Sequence, residues 1–257
     1  MAKFFQETNL KAMQITLDGK KERHNKVRFT KGGKGSFDKI LNNLDVFFKF
    51  NNKTQVSIRV NLDKENENDF SYLYNLLNQR FKGKKIYVYP AFIEDYTDMS
   101  DCPLLNRFDK IKFTIDKYKE IGLTHNIDAN FSIGGCGATR KNYFVIGSEG
   151  ELYKCWNDVE FKNKIVGYVN KPKITNPEVL YRYISGVTKY GDPICKECSI
   201  FPICSGGCQY QRNANIYENK NYDICDIKKD ALAEFLEILN VDSKNRIKIN
   251  TRTIDYV

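Results

Sequence analysis

The chain has 257 residues, of which 41% are hydrophobic and 13% aromatic, and a formal net charge of +9. That is enough apolar matter for one large or two modest packed domains, and no stretch approaches the run of about eighteen apolar residues that a membrane span needs. The lysines are interleaved with acids along the whole length, which argues against a nucleic-acid-binding stripe and for a solvated basic surface with a mild pull on acidic peptide segments.

The opening MAKFFQETNLKAMQ lacks the apolar core and small-residue cleavage site of a secretory leader, so a cytoplasmic setting with reduced thiols is expected. Ala12–Leu17 reads as a buried strand ending at Asp18-Gly19. Ser36 is placed to cap a helix whose apolar positions Phe37, Ile40, Leu41, Leu44, Phe47 and Phe48 share one face. Gln55–Asn61 is a second strand, and Phe70, Leu73, Leu76, Leu77 and Phe81 mark a second helix. Lys85–Phe92 is a third strand. Phe108, Ile111, Ile115, Tyr118 and Ile121 mark a third helix ending near Gly122. Alternation of this kind builds an α/β fold with a parallel sheet covered by helices. His24, in the segment after the first strand, reads as a loop residue.

Past this region the chain changes character. Cys136 is followed after thirteen residues by Gly150 and after four more by Cys155. Cys195, Cys198, Cys204 and Cys208 are then separated by two, five and three residues, and Cys225 follows a gap of sixteen. Tyr143–Gly147 and Glu151–Cys155 read as the arms of a hairpin with Gly150 in its turn, which carries Cys155 back toward Cys136. Ser205-Gly206-Gly207 allows the backbone to come close to a sulfur-rich group and offer it N–H donors. An all-thiolate set suits iron–sulfur clusters or zinc. A single zinc at Cys195, Cys198, Cys204 and Cys208 would leave Cys136, Cys155 and Cys225 with no histidine to complete a second site. Disulfides are disfavoured by the expected compartment. Cys102 stands outside the array and reads as a small buried or loop cysteine.

The spacing of the array resembles the SPASM domain, a C-terminal extension of many radical S-adenosylmethionine (SAM) enzymes. The resemblance implies that Cys136, Cys155 and Cys208 hold a first auxiliary 4Fe-4S cluster, and that Cys195, Cys198, Cys204 and Cys225 hold a second. With three thiols in the first set, one iron is left for solvent, another side chain or a substrate thiol. Gln14–Gly19, Glu22, His24, Arg28 and Gly35–Phe37 look like the fourth strand and following loop of the radical SAM barrel, and Val56–Asn61 like the fifth strand. By that likeness Thr16, Asp18, Arg59 and Asn61 are candidate contacts for the ribose or carboxylate of SAM; the other reading of Asp18-Gly19 is a plain turn, and of Arg59 a paired strand residue.

The implied architecture is the C-terminal half of a partial (β/α)6 radical SAM barrel over residues 1–125, followed by a small cysteine-rich α+β SPASM domain over 126–257. The triplet of cysteines spaced by three and two residues that holds the SAM-cleaving cluster does not occur in these residues. The expectation is therefore a truncated or split relative of peptide and protein maturases, with a peptide or protein substrate. It would use SAM only where a second chain supplies the other barrel half. Without that half the first strand would present an unpaired edge. The alternative is a non-catalytic iron–sulfur electron-transfer or peptide-recognition partner. In the sulfatase-maturating branch an aspartate follows the cysteine matching Cys155. Here Trp156 stands there, which points toward ribosomal-peptide modification and suggests an indole packed over the cluster.

Overall fold

The computed structural model describes residues 2–8, 10–96, 101–124, 135–171 and 173–250. The chain divides into two compact units, Met1–Asn126 and Ile127–Val257.

The first unit holds a three-stranded parallel sheet in the order β1 (Ala12–Leu17), β2 (Gln55–Leu62), β3 (Ile86–Phe92). Its helices are α1 (Ala2–Glu7), α2 (Lys21–Val27), α3 (Phe37–Phe50), α4 (Phe70–Arg80) and α5 (Arg107–Ile121). Strand β2 alternates without a break: Val56, Ile58, Val60 and Leu62 are wholly buried, while Gln55, Ser57, Arg59 and Asn61 are half-buried on the other face. One face of the sheet therefore packs under the apolar stripes of α3 and α4, and the other carries polar side chains to the sheet's C-terminal end. Leu41, Leu44, Phe47, Leu73 and Leu77 fill that core. Burial of each such side chain contributes roughly 1.5–3 kcal/mol.

Three local expectations are corrected. Ser36 does not cap α3 through its side chain; its hydroxyl donates to the Arg28 carbonyl instead, at 3.0 Å. The buried face of α5 is set by Ile111, Phe113 and Thr114, whereas Phe108 is exposed. Phe113 turns inward because it meets the rings of Phe70 and Phe92 edge-on, at centroid distances of 5.7 and 5.5 Å. His24 is fully buried on α2 rather than in a loop.

The His24 ring is neutral by construction. The Asp18 backbone N–H donates to Nδ1 at 3.2 Å, so the proton sits on Nε2, which faces Ser36 Oγ at 3.0 Å. Burial pushes its pKa down; Asp18 opposes that and Arg28 adds to it. A depressed folded-state value means that the stability His24 contributes is present above its ordinary value of 6.5 and is lost as pH falls through the lower folded value. Denaturation midpoints of the wild type and a His24→Asn variant should thus differ clearly at neutral pH and converge in acid.

The second unit is built from short pieces. Strands β4 (Val145–Ile146), β5 (Glu151–Tyr153) and β6 (Gly167–Tyr168) form a small antiparallel sheet. The first two are the expected hairpin, with Gly150 at φ +88° in its turn; β6 was not foreseen. Helices α6 (Pro177–Tyr181), α7 (Pro193–Lys196), α8 (Gln209–Tyr217) and α9 (Leu232–Asn250) complete it. Val166, Val179, Leu180 and Tyr183 form a modest core. Among the described residues no helix is long and apolar enough to cross a membrane.

Candidate metal centre

All eight cysteines are free thiols. Cys195, Cys198, Cys204 and Cys225 line one partly open pocket, together with Ile194, Ile200, Phe201 and three cationic residues, Lys189, Arg212 and Lys229. Local structure explains the convergence. Asp192 caps α7 by accepting from the N–H groups of Ile194 and Cys195 at 2.9 and 3.2 Å, which fixes the start of the Cys195-x-x-Cys198 turn. The Cys198 N–H then donates to the Cys195 carbonyl at 3.1 Å. Gly206 and Gly207 both have positive φ, +91° and +74°. A side chain on Gly207 would place its Cβ only 2.0 Å from the Ile224 carbonyl oxygen, so this glycine lets the segment carrying Cys225 lie against the loop carrying Cys204.

Donors point at the sulfurs. The Gly206 N–H donates to Cys204 Sγ at 3.3 Å, Arg212 Nη2 to Cys195 Sγ at 3.2 Å, and Lys229 Nζ approaches Cys225 Sγ at 3.8 Å. Arg212, almost fully buried, also grips the Gly206 carbonyl through Nε and Nη2 and pairs with Asp192 at 2.5 Å. Lys189 ties the loop from the other side, donating to the carbonyls of Phe201 and Cys204 at 2.6 Å each, with Phe201's ring 4.4 Å away.

The remaining thiols, Cys136, Cys155 and Cys208, lie in the same unit but outside that pocket. Burial pushes the Cys155 thiol up to about 12; the Asn157 backbone works against this, and the charges of Asp158, Cys208 and Cys136 add to it. Those groups are thus electrostatic neighbours of Cys155. Lys154 ties the residue before Cys155 to the segment leading into β4: fully buried, it donates to the carbonyls of Arg140 and Tyr143 at 2.6 and 2.7 Å and lies 4.8 Å from the Phe144 ring. Lys154→Met would strand both carbonyls, and should cost about 2–3 kcal/mol in the urea stability of the metal-free chain.

After Cys155 a short 3-10 turn spans Trp156–Asp158. It faces Trp156 outward, 71% exposed, and buries Asp158 completely; the indole therefore does not cover the thiols. Burial pushes Asp158 up to about 6, while Tyr183 and Lys164 pull it down. Even so, neither carboxylate oxygen has a hydrogen-bond partner in good geometry. Cys102 is exposed, in the irregular segment before α5.

At the C-terminal ends of β1 and β2, three of the four proposed SAM contacts form one chain. Arg59 Nε donates to Asn61 Oδ1 at 2.9 Å, Asn61 Nδ2 donates to Asp18 Oδ1 at 2.9 Å, and Arg28 closes on the other Asp18 oxygen. Thr16 sits opposite Arg59 in the β1–β2 register but outside that chain. Asn66, which carried no signal in the sequence, donates to the carbonyls of Asp18 and Asn61 at 3.2 and 2.9 Å and holds the two strand ends together.

No family model matches the chain. The cysteine-type anaerobic sulfatase-maturating enzyme of Clostridium novyi is 26% identical over 253 residues, covering 87% of this chain and 64% of the relative. The enzyme of the same description from Clostridium perfringens is 25% identical, covering 83% and 62%. A structure of native anSMEcpe with bound AdoMet superposes with a TM-score of 0.63 at 20% identity, covering 95% of this chain and 70% of that one. The chain is a homologue of the radical SAM/SPASM maturases. It shares their α/β fold and spans under two thirds of the length of the two sulfatase-maturating relatives.

Proposed function

We propose that this chain is the auxiliary-cluster portion of a radical SAM/SPASM maturase acting on a peptide or protein, with two 4Fe-4S sites in its second unit. The observation that carries the reading is the cavity bounded by Cys195, Cys198, Cys204 and Cys225 and ringed by donors to their sulfurs. Four thiols around one pocket, with hydrogen-bond donors and positive charge aimed at their sulfurs, suit an iron–sulfur cluster. Cys136, Cys155 and Cys208 make the first set. When bound, such clusters supply an electron acceptor or a grip on a substrate group.

The chain's own residues do the rest. Asp192 and Arg212 hold the Cys195 turn, Gly206 and Arg212 donate to sulfur, and Lys189 and Lys229 add positive charge around the thiolates. The Asp18–Asn61–Arg59 chain in the first unit, with Thr16 beside it, forms part of a SAM pocket. A structure of native anSMEcpe holds both AdoMet and a peptide, which supports a peptide or protein substrate here. Trp156, in place of the aspartate of the sulfatase-maturating branch, favours a different substrate residue. The cluster that cleaves SAM must come from outside these residues, for which a second chain pairing on the β1 edge is suited. Anaerobic reconstitution should load about eight irons per chain, two clusters of four; material that takes up no iron would overturn the reading. The absence of the SAM-cleaving triplet from these residues favours a second reading, a non-catalytic iron–sulfur partner. Failure of the chain to support SAM cleavage and peptide modification when mixed with a triplet-bearing chain would select it.

A further inference from the structure

The connection between α2 and α3 has no part in the thiol sites, yet its chemistry is one-sided. Residues 26–35 carry Lys26, Arg28, Lys31 and Lys34 and no carboxylate. From Arg28 to Ser36 the chain makes a short hairpin. Phe29 and Gly35 pair antiparallel, the Thr30 N–H donates to the Lys34 carbonyl and the Gly33 N–H to the Thr30 carbonyl at 2.8 Å each, and the Ser36 N–H donates to the Arg28 carbonyl at 3.2 Å. The base of the hairpin is fixed. Asn25 Oδ1 accepts from the Phe37 N–H at 3.0 Å, and a Cβ on Gly35 would stand 2.1 Å from Asn25 Cγ, so glycine is what lets the returning arm lie this close. The next residue but one, Phe37, is buried in the core under the sheet.

Nearby acids are committed elsewhere: Asp18 holds Arg28, and Asp38 pairs with Lys21 at 2.6 Å. Lys26, Lys31 and Lys34 are exposed and have no carboxylate partner among the described residues, so they set up a local positive field. Backbone geometry adds an apolar component. Arg28 is extended, with φ −127° and ψ 105°, and side chains on either side of an extended residue point the opposite way from its own. Its guanidinium turns in to Asp18, while Val27 and Phe29 face solvent, 50% and 64% exposed. Apolar side chains rimmed by charge in this way mark a contact surface.

We infer that this hairpin docks an acidic segment of the peptide or protein substrate: carboxylates of that segment pair with Lys26, Lys31 and Lys34, and an apolar side chain between them covers Val27 and Phe29. The inference rests on the maturase reading above and adds where, and by what charge, the substrate is held. Arg28 gives the location its meaning. It reaches from the hairpin's base to Asp18, the first residue beyond β1, so a segment held here lies beside the proposed SAM pocket. Unpaired cations select an acidic partner over a neutral or basic one, and a hairpin fixed at its base before binding loses little freedom on contact.

The test is fluorescence anisotropy on the full chain with two labelled probe peptides, one of glutamates flanking a central leucine pair and one with lysines in place of the glutamates. The wild type should bind the acidic probe alone, and more weakly as salt rises. The triple variant Lys26→Glu, Lys31→Glu, Lys34→Glu should bind that probe about tenfold more weakly or worse and gain affinity for the lysine probe. Phe29→Ser should weaken binding and leave its salt dependence unchanged. A triple variant that binds the acidic probe like the wild type would overturn the inference. If the triple variant unfolds, the tip pair Lys31→Glu, Lys34→Glu decides by the same criterion. Charge variants that bind the probe normally but lose a triplet-bearing second chain would assign the hairpin to that chain instead, which also overturns it. Iron loading is read separately: a chain that binds the probe by charge but takes up no iron fails the cluster reading, and one that loads iron but ignores charge fails this one.

Discussion

Gly207→Ala should empty the second thiol cavity as effectively as removing a cysteine. Alanine at φ +74° is strained by about 1–2 kcal/mol, and its methyl would stand 2.0 Å from the Ile224 carbonyl oxygen, a backbone atom that cannot swing aside. The loop after Cys204 and the segment before Cys225 would have to part, moving Cys225 out of reach of the other three thiols. Iron per reconstituted chain should drop from about eight to about four, while the parallel sheet of the first unit melts unchanged. A variant that still loads eight irons would show that the close approach at Ile224 is dispensable.

Arg212→Met is expected to act through both stability and redox behaviour. Burial draws the Asp192 carboxyl up, yet Arg212 together with the backbone N–H groups of Cys195 and Ile194 holds it low. Without the guanidinium, Asp192 loses its cationic partner and keeps only its two backbone donors, the Gly206 carbonyl loses its two donors, and Cys195 Sγ loses one. Leaving a buried carbonyl and a half-buried carboxylate without these donors costs about 1–3 kcal/mol, readable as a lower urea midpoint for the second unit. Any cluster still held would sit among two cationic side chains rather than three, so its midpoint potential should shift to more negative values. An unshifted potential would mean that the guanidinium serves packing alone.

Much of the first unit is legible in the chain because its periodicities are strong. The alternation of Val56, Ile58, Val60 and Leu62 and the stripe through Leu41, Leu44 and Phe48 each describe a single buried face. The errors fall where tertiary contacts outvote local pattern. Phe113 belongs to the core because Phe70 and Phe92 lie opposite it, and neither neighbour is visible in the helix's own sequence. His24 looks like a loop residue until the turn at Asp18 brings a backbone donor to its ring.

The thiol array was legible for another reason, since soft ligands at fixed intervals leave few alternatives. Its supports were not. Arg212 follows Cys208 inside a polar helix, Lys154 stands between the end of β5 and Cys155, and Asp158 is one acid among many. Only burial separates them from ordinary surface charges. The polar chain Asp18–Asn61–Arg59 could be guessed from strand ends, but the clamp by Asn66 depends on a connection that follows β2 and folds back on it.

The three residues between Cys204 and Cys208 join the two thiol sets, since Cys204 lines the second cavity and Cys208 neighbours Cys155. The tether is too short for either end to move independently, so order at one end restricts the other. Assembly should therefore be sequential and mutually reinforcing: the first metal group to arrive makes the next arrival easier, and partly loaded chains should be scarce beside empty and full ones.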